Sequence, residues 1–407
     1  YAELLVNFPD MRGFKAEAVF KDKLFDGKLG DVTALRATRT SEINHSAPYY
    51  VIANTSDSAV KAVNQAIRQG KKVYLTEDGY IVDTPTFENL LGDYAIYGDA
   101  LYKVPNGPSL KALKVYSPPH QFYWAGVDSP THTALALKNL GFDLVDTPEE
   151  ADVVVLESNN FDKSLVGLKP TIVVGGSAMQ RLEKLGLIDG FDAEKFSGGS
   201  DFEGLMKAII DDQDPLTSGY NKNDLFYSNS GNWIAKVPAN FKTLATIAGS
   251  DYYIAGWWPG NEKLANKIVA ISGKYNENPL FVYAGNPTNR LHTIHFYRWI
   301  SNAVFGSQLA NLTDYILPSP TPNQIPQPQP LTPPTYQAPS KTYQAPNQTR
   351  LDFKPATKVD PVQEISLTNS RESLPKTGTQ EMTEGFKLAS ILIACSAGLF
   401  LLKKKED

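Results

Sequence analysis

Three short stretches of this 407-residue chain hold side chains whose types and spacing could do chemistry. Gly175-Gly176-Ser177-Ala178 follows a β-branched run and precedes a helix expected to start near Met179, which is half of the G-x-S-x-G turn that lifts a nucleophilic serine above a sheet. Met179 stands where the second glycine would be. A base for the Ser177 hydroxyl is available downstream, as His292 or His295, in the chain order that such folds use. The alternative is a tight turn with a helix cap, the commoner use of Gly-Gly-Ser after a buried strand. His292-Thr293-Ile294-His295 sets two imidazoles one helical turn apart, a spacing that suits a metal. No third ligand is identifiable, and beside Arg290 and Arg298 the pair reads alternatively as hydrogen-bonded structural groups at a helix start. Trp257-Trp258-Pro259-Gly260 offers a stacking platform for a sugar, or else fill for the space above a sheet edge.

The elements that must position these groups alternate between strand and helix. Tyr49–Ala53 reads as a strand, Val60, Val63 and Ile67 as one helical face ending at Gly70, and Lys72–Leu75 as the next strand, a βαβ unit. A second series begins at Leu113–Tyr116. It continues with a helix over 129–140, buried strands at Ala151–Leu156 and Thr171–Val174, and later strands at Tyr252–Ala255, Ile268–Ile271 and Leu280–Tyr283. Phe202, Leu205, Met206, Ile209 and Ile210 fall on one face of a helix, and so do Phe296, Trp299, Ile300, Ala303 and Val304. The alternation predicts an α/β fold with a mainly parallel sheet covered on both faces.

Composition narrows the chemistry. The single cysteine, Cys395, lies in the apolar tail, so the folded part has no disulfide framework, no thiol nucleophile and no cysteine-ligated zinc. A net charge of −5 with mixed signs gives no nucleic-acid footprint. From Pro318 to Pro346 ten of 29 residues are proline, and Thr-Tyr-Gln-Ala-Pro recurs at 335–339 and 342–346. Such a segment runs as polyproline II at about 3.1 Å per residue, so the stretch to Ser373 reaches on the order of 150 Å. That suits a stalk; the alternative is a proline-motif ligand for a partner domain.

The chain closes with Leu374-Pro375-Lys376-Thr377-Gly378, a polar spacer, an apolar run over 388–402 and Lys403-Lys404-Lys405. Fifteen residues at about 1.5 Å each cover roughly 22 Å, short of the roughly 30 Å hydrocarbon core, so the run holds the chain in the membrane transiently while the lysines stay cytoplasmic. This arrangement resembles the sorting signal of Gram-positive cell-wall proteins, with an ordinary C-terminal membrane anchor as the alternative. The resemblance implies that a sortase thiolate attacks the Thr377 carbonyl and passes the acyl group to a peptidoglycan amine, leaving the protein outside the cell and covalently attached to the wall. Tyr1 opens a segment with no basic and apolar signal regions, and an exported protein needs one, so a longer parent protein is expected.

A second resemblance rests on Gly256–Glu262, Arg290-Leu291-His292, Phe296-Tyr297-Arg298, Asn302-Ala303, Pro48–Ala53 and Asp57–Asn64. These stretches look like the region that follows the catalytic domain in exported bacterial zinc carboxypeptidases, a region similar to class I glutamine amidotransferase (flavodoxin-like) folds without their chemistry. Carboxypeptidases of that kind bind zinc through H-x-x-E and a distant histidine, and none of the five histidines, at 45, 120, 132, 292 and 295, has Glu three residues on. The resemblance therefore implies zinc only in an upstream domain and no cofactor here. Residues 1–111 are expected to form an α/β segment ending a larger domain, 112–309 an amidotransferase-like domain, 310–373 the stalk and 374–407 the sorting signal. The expected role is that of the non-catalytic end of a wall-attached peptidase. A surface module for glycan or peptide that uses Trp257 and Trp258, and a serine hydrolase that uses Ser177 and His292, are the alternatives.

Overall fold

The computed structural model describes residues 7–14, 16, 43–122, 127–195, 203–229 and 231–309, all within one compact unit, Tyr1–Ile325. The stalk, the sorting pentapeptide and the apolar run over 388–402 lie outside the described residues, and among those described no helix is long and apolar enough to cross a membrane.

After the short α1 (Phe8–Arg12), the first sheet is built from β1 (Tyr49–Ala53), β2 (Tyr74–Thr76), β3 (Gly79–Asp83) and β4 (Gly98–Leu101), with α2 (Asp57–Arg68) and α3 (Thr84–Asp93) between them. Ser56 caps α2 by accepting the Ala59 N–H, and Val60, Val63 and Ile67 are buried as their spacing predicts. The strand order is β2-β3-β1-β4 with every neighbouring pair antiparallel, which corrects the simple βαβ reading of Tyr49 to Leu75. Here β3 returns through a tight turn and inserts between β1 and β2. Gly79 makes this possible: its φ is +141°, and a Cβ there would lie 2.2 Å from the Ile52 carbonyl oxygen.

The larger sheet draws on β5 (Lys114–Tyr116), β8 (Asp143–Val145), β9 (Val153–Leu156), β10 (Thr171–Val174), β12 (Glu203–Ile210), β13 (Asn223–Ser228), β15 (Lys242–Ile247), β17 (Ile268–Tyr275) and β18 (Asn278–Tyr283) in the order β13-β12-β15-β17-β18-β10-β9-β5-β8. β6 (His120–Phe122) pairs with β7 (Val127–Ser129) outside it, whereas β11 (Asp192–Lys195), β14 (Asn232–Lys236) and β16 (Tyr253–Trp257) join its antiparallel part. From β18 to β8 the neighbours are parallel, as the β-branched runs of β9 and β10, buried throughout, require. The fold is thus mixed α/β, with a parallel sheet flanked by α4 (His132–Asn139), α5 (Gly175–Leu185) and α6 (Tyr297–Gly306) and extended by antiparallel strands.

The helix expected through Leu205, Met206, Ile209 and Ile210 is corrected: these residues lie in β12, and Phe202 lies outside the described residues. β12 bonds to β13 on one side and to β15 and β16 on the other, so its backbone is fully engaged as a strand. Trp258 and Tyr253 close over Gly204, where a Cβ would come within 3.1 Å and 3.3 Å of their rings. By contrast α6 forms where its apolar spacing puts it, and all ten of its residues are buried. Trp299 stacks on Tyr220 at 4.8 Å, and Phe305 meets Tyr80 of the small sheet at 5.8 Å.

Candidate functional site

A cleft of about 410 Å³ opens where four strands of the parallel sheet end. His120, Thr131 and His132 follow β5, Glu157 and Asn159 follow β9, Gly175–Ser177 follow β10, and Asn286 and Asn289 follow β18. The chain leaves β5 through α4 to β8 on one side, then crosses to β9 on the other. The crevice between β5 and β9 is therefore a topological switch point, where open parallel sheets bind their ligands.

Glu157 is the charged group of this cleft. Its side chain is 12% exposed. One oxygen accepts the Thr133 N–H at 2.8 Å, at the first turn of α4, and the other accepts from the Asn286 amide at 2.6 Å. Asn286 is held in turn by Thr288, whose N–H and hydroxyl donate to its Oδ1 at 2.9 Å and 2.7 Å. His132 Nδ1 lies 3.8 Å from Glu157 and accepts the Arg290 N–H at 3.4 Å. Arg290 and Leu291 both adopt positive φ, +51° and +60°, a conformation costly for side-chain-bearing residues.

Ser177 lies in this cleft, exposed, and among the described residues its hydroxyl has no hydrogen-bond partner. The helix starts at Gly175 rather than near Met179, and the positive φ of the strand-to-helix turn, +84°, falls on Gly175. In a nucleophile elbow the strained residue is the nucleophile itself. Here that position carries no side chain, and Ser177 sits two residues further into the helix.

His292 is not part of the cleft lining. Its Nε2 lies 3.8 Å from Glu203, and burial lowers its pKa against the opposing pull of that carboxylate. Glu203 accepts a 2.5 Å bond from the Tyr227 hydroxyl, which accepts from Asn289 at 2.7 Å. His295 faces elsewhere again, 3.1 Å from Asp224 and 3.0 Å from Arg298. The two imidazoles precede α6 in separate surroundings, and among the described residues no group of three or more His, Cys, Asp or Glu could hold a metal. The residues present do not fit the H-x-x-E zinc site. Trp258 is 3% exposed and belongs to the core, whereas Trp257 is 51% exposed at the end of β16, away from the cleft.

Glu157, His132 and Asn286 were not among the residues singled out from the sequence. The signal was available: Glu157 directly follows the buried strand at Val153–Leu156, and the carboxyl ends of such strands are where sites form.

Residues 366–407 match the LPXTG cell wall anchor motif. The protein is accordingly a sortase substrate, secreted and covalently attached to the peptidoglycan of a Gram-positive cell wall. No curated protein matches the chain at a significant level. Among solved structures it is similar to a Thermoplasma acidophilum protein described as a GMP synthase component (16% identity, TM-score 0.33, 47% of this chain and 94% of that one). It is also similar to a glutamine amido transferase from Methylobacillus flagellatus (12%, 0.27, 48% and 96%) and a β-galactosidase from Bacillus circulans (11%, 0.29, 48% and 31%).

Proposed function

We propose that residues 43–309 form a non-catalytic ligand-binding module displayed on the wall, the post-catalytic part of a zinc-carboxypeptidase-like exported peptidase. The observation that carries this reading is Gly175: a cleft at the switch point is retained, while the strained turn beside it offers no nucleophile. Ser177 is also separated from His292, and among the described residues no imidazole or carboxylate is hydrogen-bonded to its hydroxyl, which favours binding over hydrolysis because a serine not engaged by a base is a weak nucleophile. The test is turnover by the purified chain, with added zinc and with a chelator, on peptides with free C-termini and on simple esters. No turnover is expected; ester hydrolysis abolished by Ser177→Ala, or zinc-dependent release of C-terminal residues, would overturn the reading. Anchoring through Thr377 completes it. Mass spectrometry of wall digests should find Thr377 as the last residue, joined to wall peptide, and intact protein ending at Asp407 in the membrane would refute attachment through Thr377.

A further inference from the structure

We infer that the switch-point cleft takes a ligand bearing a primary ammonium group, held by Glu157; this rests on the reading of the cleft as a binding site. The Glu157 side chain is 12% exposed, and neither of its donors, the Thr133 N–H and the Asn286 amide, carries a charge. The positive end of α4 supplies about half an elementary charge at most. Among the described residues no lysine or arginine side chain lies within ion-pair distance of Glu157 or lines the cleft. His132 approaches only to 3.8 Å, beyond hydrogen-bond distance, and its Nδ1 is turned to the Arg290 N–H at 3.4 Å.

The recess therefore holds a largely buried carboxylate with no lysine or arginine beside it, and buried charges are ordinarily paired. A carboxylate has about four lone-pair positions, of which two are used here, and an ammonium brings three donors to such a group. A phosphate or a second carboxylate placed beside Glu157 would be repelled. A sugar hydroxyl would bond but would leave the charge unbalanced. Two other features suit the remainder of a small amine. Asn159 and Asn229 line the cleft with carboxamides. Val174 gives α5 no side-chain cap, so the first-turn N–H groups around Gly176 and Ser177 face an acceptor on the same ligand, a hydroxyl or a carboxylate. An amino sugar and an amino acid share this chemistry.

The experiment is calorimetric titration of the purified chain with glucosamine and with alanine, each beside its N-acetyl derivative, repeated on Glu157→Gln and on Ser177→Phe. The glutamine of the first variant keeps an acceptor for the Thr133 N–H, and circular dichroism monitors folding; the phenylalanine of the second, on an exposed helical position, fills the cleft without touching the partners of Glu157. The expected result is that at least one free amine binds tenfold or more tighter than its acetylated form, and that both variants lose tenfold or more of that affinity. Which amine binds distinguishes the sugar from the amino acid. If acetylated and free forms bind alike, or Glu157→Gln binds as the parent does while Ser177→Phe does not, the ammonium inference falls and the cleft reading stands. If no probe binds at up to about 10 mM, a concentration that would reveal even weak sites, both fall.

Discussion

Arg298 and Glu157 are both largely buried charges in one fold, and their surroundings treat them in opposite ways. Arg298 is 4% exposed and every arm of its guanidinium is occupied. Its Nε donates to the His295 carbonyl at 3.1 Å, one terminal nitrogen donates to the Asn54 carbonyl at 2.9 Å and to that of Gly219, and the other meets His295 Nδ1 at 3.0 Å. The plane lies over the Tyr220 ring, 4.2 Å from its centroid. These partners join the end of β1, the turn at Ser218–Tyr220 and α6, while Asn302 extends the clamp by accepting from Asn54 at 2.8 Å. Glu157 is bonded only by neutral donors and faces an open recess. A saturated charge reads as architecture, and a charge left with open valence reads as a site.

The sharpest break of this contrast is Arg298→Ala. Removing the guanidinium takes a charged donor from three carbonyls, of which, among the described residues, only that of His295 keeps another donor, the Tyr220 hydroxyl at 3.2 Å, and should cost on the order of 3–5 kcal/mol in denaturant unfolding, enough to threaten folding altogether. Arg298→Lys should recover only part of it, because an ammonium cannot occupy the planar fork's directions at once. Recovery to parental stability by lysine would show that charge, not geometry, is what the clamp requires.

Next in size is Gly219→Ala. Gly219 has φ +84°, and a Cβ would lie 1.8 Å from the Asn54 carbonyl oxygen, so the turn must move and take an Arg298 acceptor with it. A loss of about 2–4 kcal/mol is expected, against about 1 kcal/mol for Gly70→Ala, which has a similar φ of +72° but nothing within 4 Å. Equal losses at the two positions would mean that backbone strain alone is being measured.

A smaller effect is a slope with pH. Burial lowers the His295 pKa from its ordinary value near 6.5, and Arg298 adds to this, although Asp224 opposes. The neutral ring donates from Nε2 to Asp224 and accepts at Nδ1 from Arg298. Since the unfolded chain takes up the proton first, stability is full above about pH 6.5 and falls as pH drops toward the folded value. Burial would raise the Asp224 pKa, but the hydrogen bonds from His295, Asn221 and Leu225 outweigh it, so its contribution is lost only at more acidic pH. His295→Gln should flatten the slope of the thermal midpoint between pH 5 and 7; an unchanged slope would assign it to His292, which burial lowers as well.

How much of this was legible in the sequence depended on whether a local period was the deciding force. The fully buried strands β9 and β10 and the helix α6 announced themselves through β-branched runs and i, i+3, i+4 spacing, and their packing agrees. β12 did not, because Leu205, Met206, Ile209 and Ile210 satisfy a helical period as well as a strand. What settles it is pairing with strands up to about fifty residues away, which no local window contains. The same holds for the site. Ser177 and His292 looked related by chain order, but partnership is decided by which loops the sheet brings together, and it brought Glu157, His132 and Asn286 to Ser177. Arg298 and Asn302, two of the residues that carried the family resemblance, turn out to belong to the clamp.

The smallest expected effects lie in the cleft, and they sharpen the comparison because they should be small. Ser177 is exposed and its hydroxyl bonds to no described residue, so Ser177→Ala should leave stability within about 0.5 kcal/mol. Glu157→Gln weakens the hold on the first turn of α4, but Thr131 still caps that helix by accepting the Ala134 N–H at 3.1 Å, and a loss of about 1 kcal/mol is the most that one such bond should cost. A neutral amide has no charge to leave unpaired in a recess, and this works in the opposite direction. Gain of stability on losing the charge, measured by denaturant unfolding, would mean that Glu157 is kept at a cost to the fold, as a binding group is and a structural one is not. A loss approaching that of Arg298→Ala would put Glu157 with the clamp instead and erase the distinction between the two regions.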